Sequence, residues 1–360
     1  MAEITREEFE KVYRQQLEPI LKDLEVERLE NNKKAGLCFI WFALGLLIGL
    51  FMLNSPMFKD IADVGVLVII VSFVISVISA SCIKKAERAK LKKLVVQKIL
   101  TLYGNLYFSD KKESISYKEI KDMGLYPRST SKATDDVIIG VDKGCNFIIA
   151  ETKLTHTESR GSGDNRRTET ITDFSGLIVK IQMKKNFTGK TIVGMKGDIR
   201  KMSGFEKVEL ESVDFMRNRE IYSTDQIESR YILTTVFMER LQNLGINFIK
   251  GNLYADADVH GGDKAQMDKA IHAVENIGSN VPTMVSGFVN RFIEREITGV
   301  SAGFVGGYVY LFIPTYENFF EINIGRGTLL QPHIYYNIYK ELEAILKVIE
   351  YLHLDKNTGL

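Results

Sequence analysis

The residues best suited to chemistry lie together in Ala255-Asp-Ala-Asp-Val-His-Gly-Gly-Asp263. Asp256, Asp258 and His260 alternate, so an extended backbone turns all three toward one side. Carboxylates and an imidazole can hold a divalent ion, and Asp263 follows after two glycines. This segment is the candidate metal site, and the best route to an enzyme or a ligand sensor. Gly261-Gly262 suits a plain polar loop equally well. No second cluster at metal-ligand spacing completes the shell.

The second concentration of charge is basic. Lys180, Lys184, Lys185, Lys190, Lys196, Arg200 and Lys201 are opposed over 180–201 by Asp198 alone. Such a stretch suits anionic lipid or an acidic partner, although lysine on strand edges also blocks aggregation. Phe187 is its only aromatic, so there is no ladder for stacking bases. With 47 basic and 46 acidic side chains in 360 residues, the net charge is +1. That balance gives no global attraction to nucleic acid, which is not an expected partner.

Other catalytic patterns are missing. There is no GxxxxGK[ST] loop, no GxGxxG after a strand, no HExxH and no GxSxG, and no cofactor is expected. Arg160, Arg166 and Arg167 mark a polar tip that could take an anion or stay solvated. Asp225 and Glu228 flank a helix start, where acids serve the helix dipole or could form a general acid–base pair. His156, His272, His333 and His353 show no partner at a useful spacing.

The elements that must carry these residues begin with two uncharged runs, 35–53 (AGLCFIWFALGLLIGLFML) and 64–83 (VGVLVIIVSFVISVISASCI). At 1.5 Å per residue each spans roughly 30 Å, the hydrocarbon thickness. The short NSPMFKDIAD between them makes a transmembrane helical hairpin over 35–83. Lys33 and Lys34 precede it, and Lys84, Lys85, Arg88, Lys90, Lys92 and Lys93 follow it; the loop carries only Lys59. The positive-inside rule then places both termini in the cytoplasm. The thirty-four residues before the first run are rich in charge, which argues against a cleaved signal. Cys38, Cys82 and Cys145 suggest no disulfide framework, in keeping with a reducing compartment. Gly45 and Gly49, with Ser72, Ser76 and Ser79, suit close helix packing, within the hairpin or between subunits.

Apolar residues at helical spacing predict amphipathic helices flanking the hairpin over 1–34, interrupted at Pro19, and over 84–104. From 105 to 354 the expectation is a cytoplasmic α+β domain, a mixed, largely antiparallel β-sheet with packed helices, followed by a tail at 355–360. Strands are predicted at 136–141, 146–156, 171–182, 190–194, 308–313 and 319–324. Helices are predicted at 234–244 and from His333 to about Leu352. A helical insertion at 255–300 is either a docking element or part of the core.

Val208–Leu244 (VELESVDFMRNREIYSTDQIESRYILTTVFMERLQNL) resembles a bacterial family catalogued as a domain of unknown function, number three-one-three-seven. ITDFSGLIVKIQMKKNFTGKTIVG (171–194), YVYLFIPTYENFFEINI (308–324) and IYKELEAILKVIEYLHL (338–354) fit the same family. The resemblance covers most of 105–354. It implies an N-terminal membrane hairpin with an α+β cytoplasmic domain and supplies no reaction or catalytic residues. It also implies that the 255–300 stretch is longer than the family's usual connection, and points to a LemA-type membrane protein as a partner. The sequence expectation is therefore a bacterial inner-membrane protein whose cytoplasmic domain binds a protein partner or forms a homo-oligomer.

Overall fold

The computed structural model describes residues 4–54, 62–109, 111–142, 144–160, 166–184, 186–244, 299–315, 319–322 and 327–351. The chain divides into two compact units, Met1–Lys98 with Glu321–Tyr336, and Ile99–Phe320 with Asn337–Leu360.

The first unit is helical: α1 (Arg6–Val12), a π-helical turn (Tyr13–Leu17), α2 (Glu18–Asn54) and α3 (Ala62–Leu100). A capping box starts it, with the Thr5 hydroxyl accepting from the Glu8 N–H and Glu8 answering the Thr5 N–H. Pro19 would break an α-helix by its missing N–H and its clash with the carbonyl four residues back. The wider turn just before it accommodates the ring, so the helix runs on rather than restarting.

Gly45 lies against Ser72, and Gly49 lies where an added Cβ would sit 2.7 Å from the Gly65 carbonyl oxygen. Ser76 Oγ donates to the Cys38 carbonyl at 2.7 Å, and the Phe42 and Phe73 rings meet edge-on at 5.3 Å. The small-residue faces are thus used to bring α2 and α3 together. Leu37, Trp41, Leu47 and Phe51 of α2, and Leu67, Ile75 and Ile78 of α3, point outward. Both helices are long and apolar enough to cross a membrane.

Beyond the apolar runs the helices bury Phe9, Tyr13, Leu17 and Leu21 on one side and Leu91, Val95 and Val96 on the other. Residues of 327–336 complete this unit. The Tyr335 ring stacks on Tyr13 at 5.8 Å, Tyr336 meets Phe9 at 5.3 Å, and the Leu329 N–H donates to Glu25 at 3.0 Å.

In the second unit, the described residues form a nine-stranded sheet: β1 (Leu106–Ser109), β2 (Ser131–Asp142), β3 (Cys145–Arg160), β4 (Arg167–Gln182), β5 (Lys190–Met195), β6 (Glu206–Lys207), β7 (Arg219–Ser223), β8 (Ser301–Val305) and β9 (Tyr308–Pro314). Its order is β1-β2-β3-β4-β9-β8-β5-β7-β6, and every pairing is antiparallel, so the expected mixed character is corrected. Strands predicted at 136–141, 146–156, 171–182, 190–194 and 308–313 lie inside longer ones. β9 is buried almost throughout because it is central and covered on both faces.

One face carries a core of Ile120, Leu125, Tyr126, Leu154, Phe174, Ile178 and Phe312 beneath α4 (Tyr117–Asp122). After α5 (Val213–Met216) and α6 (Gln226–Ile232), α7 spans residues 235–244 and sets Phe237 edge-on to Phe304 of β8 at 5.6 Å. The closing helix α8 (Pro332–Tyr351) buries Ile338, Leu342, Ile345 and Leu346. The strand expected at 319–324 does not form over 319–322. Phe320 adopts φ 58°, and its N–H donates to Glu341 at 2.7 Å instead of to a neighbouring strand. The helical insertion expected over 255–300 lies outside the described residues except for 299–300.

Candidate functional site

The basic stretch is divided by its neighbours. Lys180 of β4 turns inward and meets the Glu119 carboxylate of α4 at 2.5 Å. Its ammonium lies 4.5 Å from the Tyr308 ring centroid and 5.4 Å from that of Tyr310. Tyr310 donates its hydroxyl to the same Glu119 oxygen at 3.1 Å. Glu119 sits where it does because it closes the capping box of α4 with Ser116. Burial alone would raise its carboxyl, but the Lys180 ammonium, the Ser116 N–H and the Ser116 hydroxyl override that and hold it at about 2. Burial, then the Glu119 charge, pushes the Tyr310 phenol above its ordinary value.

The other basic residues differ from Lys180. Lys196 donates to the Arg217 carbonyl at 2.7 Å. Lys184, Lys190, Arg200 and Lys201 are exposed, and Lys185 is outside the described residues. Lys180 therefore pins α4 to the sheet, while those four remain open to solvent.

The YSTDQIES segment folds into a turn whose polar atoms are spent on itself and on the strand beside it. Ser223 pairs with the Thr191 hydroxyl at 2.9 Å, and Thr224 Oγ1 accepts the Lys190 N–H at 2.8 Å. Asp225 caps α6 by accepting from the N–H groups of Ile227 and Glu228, both at 2.9 Å. Glu228 reaches out of the helix and accepts from the backbone N–H of Thr188 at 2.9 Å and of Gly189 at 2.7 Å. Two carboxylates engaged by four backbone donors hold a loop in place; they are not poised as an acid–base pair.

A third cluster was invisible at the level of spacing. The His156 ring of β3 lies between two carboxylates, with Asp173 at 2.8 Å from Nδ1 and Glu158 at 3.2 Å from Nε2. Asp173 is the extra residue where the β3–β4 register shifts, and the bulge aims it across the ribbon. The only sequence trace is the His-Thr-Glu alternation, because Asp173 arrives through the hairpin. Hydrogen bonding to Asp173, then to Glu158, raises the imidazole above its ordinary value. The carboxylates sit on opposite ring nitrogens, so the three groups do not converge on one ion.

Asp256, Asp258, His260 and Asp263 lie outside the described residues. Among the described residues no group of three or more His, Cys, Asp or Glu side chains is placed to hold a metal.

Residues 172–256 match the family described as Protein of unknown function (DUF3137). No curated protein matches the chain, and no solved structure does. The matched stretch takes in β4 from Thr172 onward, β5, the YSTDQIES turn and α7. It is narrower than the similarity read from the sequence, since 308–324 and 338–354 fall beyond it. Within it, polar residues of the YSTDQIES turn clamp α6 onto the loop before β5.

Proposed function

We propose that this chain is an inner-membrane-anchored interaction or assembly module whose sheet domain lies on the cytoplasmic side. One observation carries the reading: α2 and α3 pack on each other through glycine and serine and leave leucine, isoleucine, phenylalanine and tryptophan facing outward. Side chains of that kind need a lipid solvent. The lysines flanking the apolar runs support an orientation with both ends of this sequence inside. The polar residues of the family-matched turn are occupied by folding, which favours binding over catalysis as the domain's work. A LemA-type membrane protein or a second copy of the chain is the partner considered first.

The test is a crosslinked membrane pull-down with the full chain, followed by the mass of the purified assembly in lipid nanodiscs. A stable partner or a defined oligomer is expected. A monomer without a reproducible crosslinked partner overturns the reading. Exposed Lys184, Lys190, Arg200 and Lys201 favour a second reading, an anionic-lipid surface module using the 180–201 stretch. That version requires the four-fold alanine variant to alter crosslinking to anionic lipid in the same membranes.

A further inference from the structure

β3 and β4 form an arm that outruns the sheet. Among the described residues β2 pairs with β3 as far as Thr155, and the β9 side reaches β4 as far as Ser175, whose carbonyl accepts the Thr315 N–H at 2.9 Å. Beyond those points His156–Arg160 and Arg167–Ile171 pair with each other, with Glu158 opposite Glu169 and Arg160 opposite Arg167. Among the described residues the ribbon has no further strand partner, and a two-stranded ribbon is marginally stable. Its hold on the sheet therefore rests on whatever sits at its root. His156 and the bulged Asp173 sit there, with side chains 10% and 11% exposed.

We propose that His156 is a proton-operated latch at the root of this arm. Protonated, its imidazolium bridges Asp173 of β4 and Glu158 of its own strand; neutral, it loses the charge that holds Asp173 across the ribbon, and the arm opens more readily. Both carboxylates only accept hydrogen bonds, and the imidazolium has an N–H for each of them. Neutral imidazole has a single N–H, so one carboxylate then faces a lone pair at hydrogen-bond distance. On the Glu158 side of the cluster the described charges are Arg160 of β3, which lies 3.6 Å from Glu158 and 3.5 Å from Glu169 of β4, and Arg128 from the segment before β2, which acts on Glu158. Both arginines stay charged throughout, so His156 is the group that changes. Its folded value is raised, so the latch is fully made below the ordinary imidazole value and is lost as pH rises through the folded one.

Hydrogen exchange read by mass spectrometry on the full chain in lipid nanodiscs tests this, with labelling times corrected for intrinsic exchange from about pH 6 to about pH 9. Opening of peptides covering 155–160 and 166–174 is expected to rise about two- to fivefold with pH. Peptides covering 177–181 and 309–313 serve as an internal reference and should not move. His156→Gln should show the alkaline level at every pH, and Asp173→Asn should shrink the rise. A flat wild-type arm, a rise shared with the reference peptides, or an undiminished rise in His156→Gln each overturns the latch. The wild-type contrast between arm and reference stands even if a variant folds poorly.

Discussion

The Glu228 carboxylate closes on the backbone N–H of Gly189 at 2.7 Å, joining the first turn of α6 to the loop before β5 across 39 positions of sequence. The loop must come close for this: a Cβ on Gly189 would sit 2.7 Å from the Asp225 Cβ. Glu228→Ala leaves the Thr188 and Gly189 donors without their acceptor and is expected to cost about 1–3 kcal/mol, read as a lowered urea midpoint. Ile227 is 83% exposed, and Ile227→Ala is expected to change stability by less than about 0.5 kcal/mol. Equal losses in both variants would contradict the clamp.

Glu119 makes stability fall in acid. Its folded carboxyl is held at about 2 against an ordinary 4.5, so its contribution is complete above the ordinary value and disappears as pH falls toward 2. Glu119→Gln should be less stable than wild type at neutral pH, with the two curves converging between about pH 4.5 and about pH 2. Denaturant midpoints measured across that range check the convergence. Parallel curves would show that the Lys180 contact does not hold the carboxyl down.

Gly176 lies where β4 leaves the arm and enters the sheet, with φ 153°. An added Cβ there runs into the carbonyl of Ile313 on β9. Gly176→Val is expected to destabilise by about 1–3 kcal/mol through overpacking. Val141 at the exposed end of β2 is the control, since Val141→Ala removes no core contact of that kind. Thermal unfolding of the two variants beside wild type reads the difference.

The anchor predicts sidedness. Reporter fusions joined at Met57 and at Leu360 should report opposite sides of the membrane. Activity on the same side at both positions would overturn the hairpin orientation.

The acidic segment can be separated from the interaction reading by metal analysis. Replacing Asp256, Asp258, His260 and Asp263 by alanine in the full chain should leave bound metal and partner crosslinking at wild-type levels. Stoichiometric metal in the wild type that the variant lacks would establish the metal reading in its place.

Local pattern determined a good part of this protein. The uncharged runs at 35–53 and 64–83, the strands around 146–156 and 308–313, and the helix from about 333 were legible because each is set by side-chain period over a handful of neighbours. Chain order alone could not show that β8 and β9, near the end of the sequence, slot between β4 and β5. Nor could periodicity see that Pro19 is absorbed by a π-helical turn, or that Phe320 leaves extended structure to meet Glu341. The polar pairs were the least legible. Asp173 reaches His156 through a hairpin and a bulge, Glu119 reaches Lys180 across 61 positions, and Glu228 finds Gly189 across a sheet edge. Period records which face a residue occupies; only packing of distant strands decides which charge it meets there, because that distance is fixed by strand order and register, not by the intervening sequence.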